Sequence, residues 1–169
     1  MERGLQMQIF ETTVRVRYAE TDQMGVVYHA NYLVWFELGR SALLDSVGLD
    51  YVNLEKEGFV SPVINVEASF KSPVRYGDTV TIKTRLKDYD GLRTTYAYEI
   101  QVGDRVCATG TSVHVLVRTK DARPVSLRSN LPQWHRVYEE LKEGAISRPG
   151  ADGEDPGLKP SKVNRRGEN

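Results

Sequence analysis

The segment Tyr18-Ala-Glu-Thr-Asp-Gln-Met-Gly-Val-Val-Tyr-His-Ala-Asn-Tyr32 sets a carboxylate, a glycine and a histidine just ahead of an apolar run. Asp22 can attack an electrophilic carbon or take a proton from water. Gly25 lets the backbone turn sharply, free of the clash a Cβ would bring. If the apolar run is a helix, its first backbone N–H groups have no partner inside it and can hold a developing negative oxygen. By itself, the Asp22 and His29 pairing also fits two metal ligands or an ordinary helix cap, so the elements around it must decide.

Those elements follow in a simple order. Residues 8–17 are rich in β-branched side chains and end in apolar and charged alternation, which predicts a strand with one solvated face. From Asn31 to Ser46, apolar residues occupy most of the circumference expected of a helix buried on several sides, and Gly48 marks its end. A short helical stretch, Tyr51 to Glu57, stops at Gly58. Four strand candidates come next with no long helix between them: Val63 to Ser72, Thr79 to Tyr89, Arg93 to Val102 and Arg105 to Thr119. Asp90-Gly91 and Gly103-Asp104 are hairpin turns that make their neighbours antiparallel, while Pro73 and Gly77-Asp78 separate the second and third strands. Ser129 to Glu143 reads as a terminal helix capped by Ser129 or Asn130.

This order predicts an α+β fold in which one five-stranded antiparallel sheet wraps one long helix. Such a sheet has two edges, and pairing an edge with that of a second copy would cover it. Residues 1–143 are expected to form a single domain. Residues 144–169 are polar and rich in Pro and Gly, too poor in apolar groups to offset the entropy of ordering, and are expected to be a disordered tail.

Composition narrows the function classes. With 23 Lys plus Arg against 23 Asp plus Glu, no global field recruits nucleic acid or an anionic membrane. Cys107 is the only cysteine, which rules out an internal disulfide and a multi-cysteine zinc site; its strand-like setting suits a small buried residue better than a nucleophile. No signal-like leader or membrane-length apolar run is present, so a soluble cytoplasmic protein is expected.

The pattern Tyr18-x-Glu-Thr-Asp-x-x-Gly-Val-Val-Tyr-His-x-Asn-Tyr32, followed by Trp35-Phe36-Glu37, resembles the signature of hotdog-fold acyl-CoA thioesterases of the 4-hydroxybenzoyl-CoA type, nearest to the Tol-Pal-associated (YbgC-like) enzymes. Ala68-Ser69-Phe70-x-x-Pro73-x-x-x-Gly77-Asp78 matches a second motif at the right distance, and the resemblance spans about residues 8–140. It implies an acyl-CoA substrate bound at a subunit interface and hydrolysed to a carboxylic acid and coenzyme A, without metal or bound cofactor. It also implies a homodimer, often paired further into a homotetramer.

Carried over residue by residue, the resemblance makes Asp22 the catalytic nucleophile or general base. The backbone N–H of His29 becomes the oxyanion donor, and the His29 ring either orients the reacting groups or packs beside the helix start. Tyr18, Gly25 and Tyr28 fall near the thioester, although either tyrosine can equally be read as closing a core beneath the loop. Glu37 either lines the acyl pocket or serves in a structural ion pair or hydrogen bond, and Ser61 borders that pocket. Arg93 and Thr94, after the Asp90-Gly91 turn, are the candidates for contacts to coenzyme A phosphates; a solvated strand edge is the bland reading of Arg93. A non-catalytic module that binds an acyl-CoA or acyl-carrier-protein thioester is the alternative function, and a dehydratase of related fold agrees less well with this loop.

Overall fold

The computed structural model describes residues 8–146. Strand β1 (Phe10–Arg15) alternates apolar and polar side chains and is shorter than the sequence suggests. A single turn of 3-10 helix (Tyr18–Glu20) leads into the loop that carries Asp22, and helix α1 (Asn31–Ser46) follows with the predicted bounds. Helix α2 (Tyr51–Lys56) starts at Asp50, whose carboxylate accepts from the Val52 and Asn53 N–H groups at 2.8 and 3.2 Å.

The strands β2 (Phe59–Val60), β3 (Val63–Phe70), β4 (Thr79–Tyr89), β5 (Arg93–Val102) and β6 (Arg105–Val115) come next. The single long strand expected to run to Thr119 instead breaks at Leu116, and β7 (Val117–Arg118) joins β2 and β8 (Arg123–Pro124) in a small second sheet. The expected terminal helix is likewise split into α3 (Leu127–Asn130) and α4 (Pro132–Lys142). Pro132 causes the split: it disfavours helical backbone at Leu131 (φ −137°, ψ 71°) and opens a new helix at its first position. Ser129 and Asn130 therefore lie inside α3 and cap nothing.

The main sheet has five antiparallel strands in the order β1-β4-β5-β6-β3, and it wraps α1 as the α+β reading requires. Both hairpins form where Asp90-Gly91 and Gly103-Asp104 predict them. Cys107 is buried on β6. Residues 144–146 still belong to this body, because Ile146 packs against the core and the Ala145 N–H bonds the Glu140 carbonyl at 2.9 Å. The expected tail beyond them lies outside the described residues. Among the described residues, no helix is long and apolar enough to cross a membrane.

Two glycines set the distance between helix and sheet. A Cβ on Gly39 would overlap Thr84 Oγ1 and Ile82 Cγ2, and one on Gly110 would overlap the ring of Phe36, which stacks on Tyr98 with centroids 4.4 Å apart. One face of α1, including Trp35, Phe36, Leu43 and Leu44, is thereby buried. The opposite face corrects the expectation of burial on several sides: Leu33, Val34 and Leu38 are 41–46% exposed, and Glu37 is exposed among them. The sheet covers only one side of the helix. The edge strand β3 is exposed as well, with Val63, Ile64, Val66 and Phe70 open to solvent.

Gly39→Ala is expected to destabilise the chain by about 1–3 kcal/mol, the usual cost of forcing atoms into a packed contact. Urea unfolding measures this, and an unchanged midpoint would show that α1 does not rest on the sheet at Gly39 as described.

Candidate active site

The polar segment before α1 folds as a miniature hairpin. Thr21 bridges Val27, the Asp22 N–H donates to the Val26 carbonyl at 2.9 Å, and Gly25 turns the chain at φ 71°. That positive φ is the reason for a glycine, since a Cβ there would meet only Arg75 Nη1, at an ordinary 3.7 Å. Asp22 Oδ1 accepts from the Met24 N–H at 2.8 Å, and among the described residues the second carboxylate oxygen meets no donor. One oxygen is fixed and the other is presented.

A buried carboxylate, overlooked in the sequence, holds this loop. Glu20 is 4% exposed; Oε2 accepts from the Arg17 N–H at 2.8 Å, and Oε1 from the Trp35 indole N–H at 3.1 Å and Arg17 Nη2 at 3.3 Å. Its backbone carbonyl accepts from the Tyr28 N–H at 2.9 Å and Asn31 Nδ2 at 2.8 Å. Burial pushes the Glu20 carboxyl up, but the bonds from Arg17 and Trp35 outweigh it and leave the group below its ordinary value. Glu20 thus ties the Asp22 loop to the first turns of α1.

At that helix start, the Asn31, Tyr32 and Leu33 N–H groups bond back to Tyr28, His29 and Ala30 at 2.9–3.2 Å. Among the described residues, the N–H groups of His29 and Ala30 donate to nothing, so two donors remain at the positive end of the helix. Asp22 and His29 line one cavity of about 390 Å³, closed by Met24, Val26, Val27, Tyr32 and the Phe70–Pro73 segment that ends β3. The His29 ring packs on Tyr28 at 4.4 Å and faces Phe70 at 6.3 Å.

The other candidates are not brought to this cavity within one protomer. Tyr18 closes no core: it is 78% exposed and meets Tyr76 edge to face at 5.6 Å. Tyr28 is half-exposed, and Glu37 points to solvent with no buried charge to neutralise. Ser61, Arg93 and Thr94 lie at the other end of the sheet. Thr94 pairs with His114, which pairs with Val63, whereas Ile100 pairs with Ala108, which pairs with Phe70 beside the cavity. At 3.3 Å per residue, that separates Thr94 from the cavity end by about 20 Å. Arg93 is exposed, but Thr94 is only 5% exposed, so its hydroxyl is withheld from a coenzyme lying on the surface.

A second buried polar cluster braces Ser61. His114 Nδ1 lies 3.3 Å from the Ser61 carbonyl, and Nε2 lies 2.7 Å from Ser112 Oγ and 3.4 Å from Arg40 Nη1. A guanidinium only donates and a carbonyl only accepts, so Nδ1 carries the proton, Nε2 accepts, and Ser112 accepts in turn from Tyr98 at 2.7 Å. Burial, reinforced by the Arg40 charge, pushes the imidazole down to about 4.

Two measurements test these anchors. Glu20→Gln retains one acceptor oxygen and turns an amide toward the remaining donors, so unfolding free energy should fall by about 1–3 kcal/mol; no change would remove the anchoring role. For His114 the folded value lies below the ordinary 6.5, so the unfolded chain binds the proton first and stability drops as pH falls from 6.5 toward 4. The His114 part of the drop should amount to about 3 kcal/mol over that window, and in His114→Gln the slope should be absent above about pH 5, where Glu20 is still ionised; a slope that persists there in the variant would contradict it.

Comparison with known proteins agrees with this fold. Residues 16–135 match the family described as the thioesterase-like superfamily. The Bacillus subtilis protein YneP, provisionally named an acyl-CoA thioesterase, is 43% identical over 138 residues, covering 81% of this chain and all of YneP. A 1,4-dihydroxy-2-naphthoyl-CoA hydrolase of Thermosynechococcus vestitus is 30% identical, covering 74% of this chain and 87% of that one. Among solved structures, the DHNA-CoA thioesterase of Staphylococcus aureus superposes with a TM-score of 0.78 at 34% identity, covering 79% of this chain and 91% of that one. With its five-stranded sheet around α1 and its carboxylate loop at the helix start, the chain belongs to the thioesterase-like superfamily and has the hotdog fold.

Proposed function

We propose that this protein is an acyl-CoA thioesterase whose reaction is carried by Asp22 and the start of α1. The observation behind the proposal is a single cavity that receives both the Asp22 carboxylate and the helix end where the His29 N–H has no partner. A thioester carbonyl placed there would point its oxygen at His29 N–H and present its carbon to the free oxygen of Asp22. Two routes suit that arrangement. In one, the carboxylate adds to the carbonyl carbon, the C–S bond breaks and coenzyme A leaves as thiolate; water then cleaves the resulting anhydride. In the other, Asp22 removes a proton from a water that attacks the same carbon, and the C–S bond then breaks to release coenzyme A as thiolate and the carboxylic acid. Both build negative charge on the carbonyl oxygen, which the His29 N–H and the helix dipole stabilise. The names of the relatives support coenzyme A as carrier.

The remaining candidate residues fit a two-fold dimer. Identical edge strands related by a two-fold axis pair antiparallel, so β3 would bring its Val63 end beside the Phe70 end of the partner's β3. Ser61, together with Glu37 on the exposed face of α1, would then approach the Asp22 cavity of the other protomer, forming the distal wall of an acyl pocket. The apolar residues left open on β3 and α1 are the surface such pairing would cover. Arg93 would stand about 14 Å from the neighbouring β3, three strand spacings away, at the margin of the same site. Pairing of dimers into a tetramer extends this reading.

Steady-state kinetics on aliphatic and aromatic acyl-CoA thioesters test the proposal. Asp22→Asn should lower kcat by about 10²–10⁴-fold with the fold intact, whereas His29→Ala, which keeps the backbone donor, should cost less than about tenfold. Cleavage by Asp22→Asn at the wild-type rate would sink the mechanism. Tight thioester binding with no turnover of any substrate would favour the alternative, a non-catalytic binding module.

A further inference from the structure

Beside the cavity lies a surface that the catalytic reading leaves unexplained. Tyr18 and Tyr76 are 78% and 62% exposed, and their rings meet edge to face at 5.6 Å. Two large aromatic rings left in water and held in a fixed mutual geometry offer both faces and edges to another flat ring. Lys71, Arg75 and Arg105 surround the same loop. Lys71 lines the Asp22 cavity, Arg75 Nη1 donates to the Gly25 carbonyl at 3.1 Å, and Arg105 Nη1 donates to the Pro73 carbonyl at 2.7 Å. One guanidinium is therefore tied to the Asp22 loop and the other to Pro73 in the cavity wall, and because both arginines are exposed their other donors remain available. Among the described residues, none of these three cations has a carboxylate within ion-pair distance. The Asp78 carboxylate accepts from the Arg75 backbone N–H at 2.8 Å and leaves the guanidinium unpaired, so in a chain of zero formal net charge three cations outside ion pairs gather on one rim.

We propose that Lys71, Arg75 and Arg105, together with the Tyr18–Tyr76 pair, form the seat of the adenosine and phosphate end of coenzyme A, on the protomer that supplies Asp22. Fixed guanidinium groups meet phosphate oxygens in paired hydrogen bonds, and an exposed aromatic pair accepts a purine by stacking. The path is short. Pro73 closes the cavity and Tyr76 follows three residues later, so the aromatic pair begins within about 10 Å of the cavity wall, a span a pantetheine arm can cross. This deepens the thioesterase proposal and rests on it for the identity of the carrier. It also places the nucleotide on the protomer that supplies Asp22, rather than on Arg93, which the proposed dimer would bring to the margin of the site from the other protomer, or on Thr94, which is buried.

Calorimetric titration of the full chain with coenzyme A and, separately, with pantetheine tests the seat without any hydrolysis. Wild type should bind coenzyme A at least about tenfold more tightly than pantetheine, because only the former carries the nucleotide. Tyr76→Ala and Arg105→Gln should each bring that ratio close to one, and Arg105→Lys should restore part of it. A variant that merely distorts the site weakens both ligands together and leaves the ratio intact. The proposal is overturned if the ratio survives in both variants, if it collapses instead in Arg93→Ala, or if coenzyme A does not bind. It is also overturned if the phosphopantetheine form of an acyl-carrier protein binds more tightly than coenzyme A and Tyr76→Ala leaves that preference unchanged. A protein that binds with the expected ratio yet hydrolyses no thioester would contradict the catalytic proposal and leave the nucleotide seat standing.

Discussion

Everything proposed for this site depends on one buried carboxylate. Glu20 has almost no contact with solvent and spends both its side-chain oxygens and its backbone carbonyl on hydrogen bonds to Arg17, Trp35, Tyr28 and Asn31. Burying such a charge is costly unless donors surround it, and here they come from both sides of the joint between loop and helix. That joint fixes the Asp22 hairpin relative to the start of α1. In the proposed mechanism Asp22 would present one oxygen and His29 one N–H to a common volume, and the Glu20 bonds hold the loop against the helix as that requires. Trp35 adds a second constraint, because the same indole that binds Glu20 is fully buried in the core. The loop is thereby referenced to the sheet as well as to the helix.

The rest of the site follows from the sheet's unfinished edge. Wrapping five strands around one helix buries a single face of α1 and, among the described residues, leaves β3 unpaired along one side. Exposed apolar side chains on both elements, and the separation of Ser61 and Arg93 from Asp22 along the strands, would have a common explanation in the proposed two-fold pairing, which sets opposite ends of β3 side by side. The Arg40–His114–Ser112–Tyr98 cluster belongs to the same logic. It holds the Ser61 carbonyl through a neutral imidazole whose proton position is dictated by its neighbours, so the far end of the sheet, like the Asp22 end, is braced by a buried polar cluster.

Much of this was legible in the sequence where the cause was local. Asp90-Gly91 and Gly103-Asp104 marked hairpins because glycine there adopts positive φ, and Gly25 with Asp22 marked the loop for the same reason. The family motifs added an identity for the site that composition and spacing left open between several chemistries. Non-local causes were hidden. Glu20 sits in a short polar stretch that looks like any loop, and its meaning comes from Trp35, fifteen positions away on another element. Glu37 read as a buried charge because α1 is apolar around most of its surface, and no sequence pattern says which of those faces the chain itself will cover. Thr94 reads as a candidate phosphate contact, but packing buries it, and register sets both Thr94 and Arg93 at the end of their own protomer's sheet away from Asp22, a relation that no local pattern carries. Pro132 is a different case: the bias it imposes on Leu131 was readable, and it breaks the terminal helix where that bias acts.

The central claim, that each site takes its carboxylate from one protomer and its acyl wall from the other, is tested most directly by mixing two inactive proteins. Asp22→Asn would be co-refolded with Ser61→Trp, which fills the acyl wall, and heterodimer formation verified by native mass spectrometry. A shared site predicts that the mixture regains about a quarter of wild-type thioesterase activity, since half the dimers are mixed and each carries one intact site. A mixture that contains heterodimers and remains as inactive as its parents would contradict it.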